Sequence, residues 1–268
     1  MVGSVDTKPA EIHRMPGCAG AAMGSERGRR PGIFAALGLV GIVGAMQPLR
    51  AAELPLLPGI GAVDRRVAVD PGQAPWNAIA KVQTNIGTRC TGVLIAPRVV
   101  LTAAHCLYNR LTRALLQAGS LHVLIGASRG EYRWHHKVTR YTVGRGFDGS
   151  KGRPQSSDWA RLELDGAIPG LVAPLPIAAE LPPPGTPIAL PGYNQDHAQI
   201  LLADLACHVT GAAVAAGRPF IAHDCDATRG TSGGPLLVRQ GGGWAVIAIN
   251  IAAATGTNLA LPAKAFAH

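Results

Sequence analysis

The chain has 268 residues, 47% of them hydrophobic and 15% charged, with a formal net charge of +9 at pH 7. This composition excludes a disordered or fibrous protein, because such chains do not carry the apolar content of a packed core. The 34 Gly and 21 Pro residues indicate many turns rather than long helices, so we expect an all-β protein.

The N-terminal part has the pattern of a targeting segment. Three arginines within residues 27–30 precede the apolar run IFAALGLVGIVGAM at residues 33–46, and small residues follow at 51–52. The run is shorter than the roughly 20 residues that span a bilayer, so a cleaved signal is favoured over an anchor. We therefore assign residues 1–52 to a signal and expect a secreted or periplasmic protein with no stable membrane anchor after signal removal.

Residues 53–75, ELPLLPGIGAVDRRVAVDPGQAP, are punctuated by Pro and Gly. This pattern predicts a propeptide or N-terminal arm rather than the start of a core, with a disordered leader as the alternative. Cleavage near Arg65 and Arg66 would remove it. The folded domain is then predicted to cover residues 76–268.

Twelve short runs rich in β-branched and apolar residues follow, separated by turn clusters: WNAIAKVQ, TGVLIA, RVVLTAA, LHVLIG, WHHKVTRYTV, WARLEL, TPIALPGY, QILLADLACHV, PFIAHDC, GPLLV, WAVIAIN and NLALP. In WARLEL, Ala160, Leu162 and Leu164 alternate with polar or larger residues, as in a half-buried strand. So many short strands predict a sandwich or barrel. A Pro-rich stretch divides the domain into sub-barrels of about residues 76–168 and 169–268.

Four of the five cysteines, Cys90, Cys106, Cys207 and Cys225, follow the predicted signal. Export to an oxidising compartment favours disulfides among them. Three pairings are possible, and the sequentially local one joins Cys90 to Cys106 and Cys207 to Cys225. No C-x-x-C or H-x(3–5)-H pattern occurs, so we expect neither a metal site nor a cofactor.

The positive charge is modest once the signal is excluded. From residue 53 onward, 19 Lys and Arg residues face 13 Asp and Glu residues, a net charge of +6. Seven of the cations lie between Arg129 and Arg153, a region that we interpret as a solvated loop and strand edge, with a polyanion-binding surface as the alternative. We expect no nucleic-acid partner.

Three short patterns carry the candidate chemistry. His105 lies next to Cys106 in LTAAHC, Asp158 precedes WARLEL, and Ser232 lies among Gly residues in CDATRGTSGGP. Alone, each residue is most simply structural: a histidine beside a disulfide, a turn-forming aspartate and a turn serine.

In this order the patterns resemble those of the chymotrypsin-like serine peptidases. The resemblance implies two six-stranded antiparallel β-barrels with the active site in the cleft between them. It also implies a catalytic triad of His105 as base, Asp158 as its partner and Ser232 as nucleophile. The amides of Gly230 and Ser232 would form the oxyanion hole. The spacing of Cys90 and Cys106 suits the disulfide that braces the histidine loop in that family.

Position 231 departs from the trypsin-like branch, which has an Asp there that pairs with the new amino terminus after activation. Here the residue is Thr231, and no IVGG-like start is found. The chain is more similar to the bacterial branch that includes the V8-like glutamyl endopeptidases. We expect local hydrogen bonds and the Cys207–Cys225 bridge to shape residues 227–233, and activity to tolerate several N-termini.

The specificity pocket is predicted to contain Asp226, Asn250, Ile251 and Ala252. Asp226 lies six residues before Ser232, where trypsin-like enzymes place the acid that selects Lys or Arg. The resemblance places a substrate-reading histidine near Asn250, but Asn carries no positive charge, so we expect no strict requirement for Glu. Ile251 and Ala252 indicate an apolar, small-walled pocket, with β-core as the alternative.

Together these patterns predict a secreted serine endopeptidase, a monomer that acts on protein or peptide substrates by acyl-enzyme chemistry. Two alternatives stay open. The chain could be a binding protein on a peptidase scaffold, or an exported cationic domain that binds surfaces.

Overall fold

A computed structural model describes residues 57–266 except residues 153, 216 and 254–256. The predicted signal, residues 1–52, and the first residues of the predicted arm, 53–56, lie outside the described residues. In the described part of the chain, no helix has both the length and the apolar character needed to cross a membrane.

Strands dominate the described residues, and the short helices are all of the 3₁₀ type. The strands are β1 (Arg66–Ala68), β2 (Ile79–Thr84), β3 (Arg89–Ala96), β4 (Val99–Thr102), β5 (Tyr108–Asn109), β6 (Ala114–Leu115), β7 (Leu121–Ile125), β8 (Trp134–Val143), β9 (Ala160–Leu164), β10 (Pro187–Gly192), β11 (Leu202–Ala215), β12 (Arg218–His223), β13 (Pro235–Gln240), β14 (Gly243–Ala252) and β15 (Asn258–Pro262). The 3₁₀ helices are Trp76–Ala78, Ala104–Leu107, Ala118–Ser120, Gln195–His197 and Ala263–Ala265. Each of the twelve predicted runs overlaps one strand.

The first barrel contains six strands in the order β2, β3, β4, β9, β8 and β7. Strand β9 lies between β4 and β8 and pairs antiparallel with both. Its Ala160, Leu162 and Leu164 are buried while the residues between them are partly exposed. The alternation predicted for WARLEL is confirmed, because successive side chains of a strand point to opposite faces.

The second barrel contains β11, β10, β13, β14, β15 and β12 in that order, and pairing of β11 with β12 closes the ring. All of its pairings are antiparallel. The all-β class and the two six-stranded antiparallel barrels are therefore confirmed. Closure leaves neither set of strands with a long unpaired edge.

The predicted arm joins the second barrel. Strand β1 pairs antiparallel with β11, so that Arg66 lies opposite Asp204. The amide of Val69 continues this contact by donating to the carbonyl of Leu201 at 3.1 Å. The folded part thus begins before the predicted boundary at Trp76. The pattern missed β1 because three residues between Gly and Pro clusters are too few for an alternation to show.

Candidate active site

His105 and Asp158 meet at one end of the first barrel. His105 lies in the 3₁₀ helix that follows β4, and Asp158 lies two residues before β9, the neighbour of β4. Asp158 is fully buried. Its Oδ2 atom is 2.8 Å from Nδ1 of His105, and its Oδ1 atom accepts the backbone N–H of His105 at 2.8 Å. One carboxylate therefore orients both the ring and the main chain of the histidine.

A disulfide joins the histidine helix to the neighbouring strand. Cys106, next to His105, is bonded to Cys90 in β3, and Cys207 is bonded to Cys225 in the second barrel. The structure thus has the sequentially local pairing. A cross-link directly beside His105 limits the freedom of the short helix that carries it.

Ser232 lies in the turn before β13, at the start of a strand of the second barrel. The turn is held by hydrogen bonds from Gly233 to the carbonyl of Asn250 at 2.7 Å and from Asn250 to the carbonyl of Gly234 at 2.8 Å. Gly233 has φ +80°, and a Cβ there would overlap the hydroxyl of Thr102 in β4. Only Gly lets the serine turn of one barrel approach the other so closely.

Thr91 links the two barrels at the site. Its amide donates to the carbonyl of Ser232 at 2.9 Å, and its hydroxyl donates to the carbonyl of Gly230 at 2.8 Å. Thr91 is fully buried, so these bonds are shielded from water. Sequence reasoning missed this residue, although its place directly after Cys90 was the available signal.

His105 and Ser232 line the same cleft, together with Gly230, Tyr193 and Arg229. Among the hydrogen bonds of the described residues there is none between the Ser232 hydroxyl and the His105 ring. Such a bond often tightens only when substrate is present. The cleft therefore contains both an imidazole ring and a hydroxyl group.

Gly230 and Ser232 keep their backbone N–H groups available. Within the described ranges neither amide has a hydrogen-bond acceptor, whereas the intervening Thr231 and the following Gly233 and Gly234 are bonded. Gly230 has φ +96°, and a Cβ there would overlap the carbonyl of Tyr193. Two unbonded amides beside the candidate nucleophile are what an oxyanion site requires.

Asn194 organises the loop before Ser232. Its Oδ1 atom accepts the Thr231 hydroxyl at 2.7 Å and the Thr228 amide at 2.9 Å, while its Nδ2 donates to the carbonyl of Gly192 at 3.0 Å. Asn194 is buried. The neutral side chain of Asn194 thus holds the loop before Ser232 by hydrogen bonds, whereas the trypsin-like branch holds this loop by an ion pair. Nothing in the sequence around Asn194 indicated this role.

The structure removes Asp226 from the specificity pocket. Asp226 is buried, and its carboxylate accepts the backbone N–H groups of Gly61 at 2.6 Å and Arg65 at 2.8 Å. It does not contribute to the cavity that contains Ser232. Its acceptors are therefore used to hold the arm and not to select a cationic substrate.

The two arginines of the arm are bound in ion pairs rather than presented for cleavage. Arg65 contacts Asp204 at 3.1 Å, and the Arg66 guanidinium contacts Asp64 at 2.7 Å and Asp196 at 2.6 Å. Although burial disfavours its charged form, the hydrogen bonds from Arg66 and Thr228 hold the pKa of Asp196 below its usual value. The proposed cleavage near Arg65 is thus disfavoured in the folded chain.

We expect a chain that starts at Val67 to be less stable than one that starts at Val63, with a free energy of unfolding lower by about 2 to 3 kcal/mol. This value is smaller than the full cost of breaking a buried ion pair, because part of the Arg65 side chain reaches solvent. The shorter chain lacks both Arg65 and Arg66. Without Arg65 the buried carboxylates of Asp204 and Asp226 lose their cation, and without Arg66 the carboxylate of Asp196 loses its arginine partner. Urea unfolding of both chains measures the difference. Equal unfolding midpoints would contradict the role assigned to Arg65. We also expect that the chain tolerates different N-termini only as long as Arg65 is kept.

The other three predicted pocket residues line the same cavity as Ser232. Asn250, Ile251 and Ala252 line a cavity of ≈ 920 Å³ together with Ser232 and Thr228. Leu57 and Pro58 of the arm line it as well. The arm is thus part of the cavity wall, which the sequence did not indicate.

His223 is a further residue that sequence reasoning missed. It is fully buried, and its Nε2 atom lies 3.2 Å from Oδ1 of Asn250. Burial lowers the pKa of His223 to about 4, with the hydrogen bond to Asn250 acting in the opposite direction. The only available signal was its place just before Cys225 in a predicted strand.

Because His223 is buried, we expect the free energy of unfolding to fall in acid. Between pH 6.5 and about 4 the unfolded chain protonates His223 and the folded chain does not. The free energy of unfolding should therefore lose about 3 kcal/mol from this residue as the pH falls from 7 to 4. Urea unfolding of the unmodified chain and of the His223→Gln variant, each at both pH values, isolates the contribution of His223. An equal fall in both proteins would exclude it.

Three comparisons relate the chain to known proteins. The sequence model of the family described as Trypsin matches residues 64–266. The chain is 31% identical over 110 residues to a glutamyl endopeptidase of Bacillus licheniformis, a match that covers 41% of this chain and 33% of that protein. The chain therefore spans about a third of the length of this curated relative. A solved structure described as Glu endopeptidase in complex with MPD is 25% identical, with a TM-score of 0.64 and coverage of 76% of this chain and 93% of the other.

Proposed function

The chain belongs to the trypsin family of serine peptidases, and from that premise we propose that it is an exported serine endopeptidase with the triad His105, Asp158 and Ser232. The observation that carries the proposal is the buried Asp158 carboxylate, which binds both Nδ1 and the backbone amide of His105 in a cleft that Ser232 also lines. The disulfides and the predicted signal support export.

The proposed reaction begins when the Ser232 Oγ atom attacks a peptide carbonyl carbon and His105 accepts the hydroxyl proton. Asp158 holds the ring so that its Nε2 atom faces the serine, and its negative charge stabilises the imidazolium that forms. The amides of Gly230 and Ser232 would bind the resulting oxyanion. His105 then gives its proton to the leaving amine, and water hydrolyses the acyl-enzyme by the same steps.

The relatives named above are glutamyl endopeptidases, but we do not transfer a strict preference for Glu. The cavity is lined by the neutral Asn250, and His223, which contacts Asn250, is buried and uncharged near neutral pH. The cations that line the cavity, Arg110, Lys151 and Arg229, are all exposed to solvent. Their attraction for a carboxylate is therefore weakened by water and salt.

A fluorophosphonate probe tests the proposal directly. We expect it to modify Ser232, mapped by mass spectrometry, and to abolish cleavage of a mixed peptide library. The Asp158→Ala variant should react much more slowly because its histidine is no longer oriented. A chain that binds peptides but neither cleaves them nor reacts with the probe would be a binding protein on a peptidase scaffold.

A further inference from the structure

A buried histidine and an asparagine form a pair behind the substrate cavity. His223 is the last residue of β12 and Asn250 lies in β14, next to the turn that carries Ser232. The His223 Nε2 atom contacts Asn250 Oδ1 at 3.2 Å. The other ring nitrogen, Nδ1, is buried and has no hydrogen-bond partner. The catalytic reaction proposed above makes no use of this pair.

The environment decides which nitrogen of His223 carries the proton. Asn250 Oδ1 is an acceptor, so the contact is a hydrogen bond only when Nε2 is the donor. A proton on Nδ1 instead would leave a buried donor without a partner, which is rarer in proteins than an unpaired acceptor. The neutral ring therefore donates from Nε2 to Asn250. This bond fixes Oδ1 of the amide towards the protein core.

The opposite end of the same amide faces the cavity. Asn250 lines the cavity that contains Ser232. Its Nδ2 atom has no hydrogen-bond partner within the described part of the chain. Nor is Nδ2 one of the buried side-chain atoms without a partner, which in that part of the chain are Arg161 Nε and His223 Nδ1. Nδ2 is therefore accessible from the cavity. The backbone bonds between Asn250 and residues 233–234 place it at a set position relative to the nucleophile.

We propose that His223 is a positioning residue that holds Asn250 as a neutral hydrogen-bond donor in the substrate cavity. Asn250 then selects substrates that have glutamine immediately before the scissile bond. An apolar side chain would leave Nδ2 unpaired in a largely desolvated place. A glutamate carboxylate would lose hydration there, and the cations that line the cavity are exposed to solvent and attract it only weakly. Glutamine supplies a neutral acceptor. This inference rests on the proposed peptidase function.

The test compares three peptides that differ only in the residue before the scissile bond, which is Gln, Glu or Met. Met approximates the size of Gln without its amide. For the unmodified enzyme we expect kcat/KM to be about tenfold higher for Gln than for Met, the effect of one hydrogen bond between neutral groups. We also expect Gln to be at least as good as Glu. Equal cleavage after Gln and Met, or a tenfold preference for Glu, would overturn the proposal.

Variants separate positioning from a general structural role. Asn250→Leu, which keeps the size and removes the donor, should make Gln and Met equivalent. His223→Phe should lower the Gln to Met ratio severalfold, mainly through KM, because the amide is no longer oriented. His223→Gln should restore part of the ratio, since its amide N–H can again donate to Asn250. An equal loss of activity on all three peptides would show that His223 is only structural and would overturn its assigned role.

The outcome for specificity is distinguishable from the outcome for activity. If the fluorophosphonate probe modifies Ser232 and the Met peptide is cleaved, the peptidase function stands whatever the Gln to Met ratio is. If the probe fails to react and none of the peptides is cleaved, the peptidase function and this inference both fail. The unmodified enzyme alone can therefore refute the inference, even where a variant does not fold.

Discussion

Replacing Ser232 with Ala is expected to lower kcat by about a millionfold, because the hydroxyl that would form the acyl-enzyme is removed while substrate binding and the oxyanion site persist. The fold should be retained, since the contacts that hold the turn are made by backbone atoms of Ser232, Gly233 and Asn250. Turnover of a peptide and of an activated ester, together with a thermal unfolding curve, measures both effects.

Ser150→Ala is the matched control. Ser150 is exposed, and among the described residues its hydroxyl is hydrogen-bonded only to Asp148, so the same loss of one oxygen there should leave kcat nearly unchanged. If Ser232→Ala were to retain even a tenth of the activity, the nucleophile would have to be another residue.

Replacing Asp158 with Asn is expected to lower kcat by about ten thousandfold at neutral pH. The carboxylate accepts two hydrogen bonds from His105, one from the ring and one from the backbone. An amide at this position can accept only one of them with its oxygen. Its NH₂ group then faces either the backbone N–H or the ring, and the second case favours the tautomer with Nε2 protonated. Such a ring cannot accept the serine proton.

Steady-state rates on an ester and a peptide, and the rate of labelling by a fluorophosphonate, check this expectation. The control is Asp148→Asn, which removes a surface carboxylate that pairs with the exposed Lys151. A fall of less than tenfold in the Asp158 variant would mean that the buried carboxylate does not orient the base.

Local sequence determines the positions of twelve of the fifteen strands in the described part of this protein. Residues such as Ala160, Leu162 and Leu164 specify a half-buried strand by their alternation alone, because the period of two is a property of the extended backbone. The three short patterns around His105, Asp158 and Ser232 are likewise local. Each places a reactive group next to a strand end, a disulfide or a glycine turn, and these features can be recognised without knowing the fold.

Tertiary structure decided which groups face the cavity. Asp226 and Asn250 were both candidates for the pocket, yet the first binds the arm through Gly61 and Arg65 while the second reaches the cavity. A carboxylate takes whichever donors surround it. Those donors lie 161 and 165 residues away along the chain, so no local pattern could reveal them.

The same reason explains the residues that the sequence did not indicate. Thr91, Asn194 and His223 act through partners brought close only when strands distant in the chain pair and the barrels pack. Side chains of this kind are common in any β-protein, and a Thr or Asn has no distinctive neighbours in sequence. The amino-acid sequence by itself thus determined the twelve longer strands and the candidate reactive residues, and its resemblance to a known family implied the two barrels. Only strand pairing and packing determined how those residues are oriented and what the cavity presents to a substrate, because hydrogen bonds depend on distance in space.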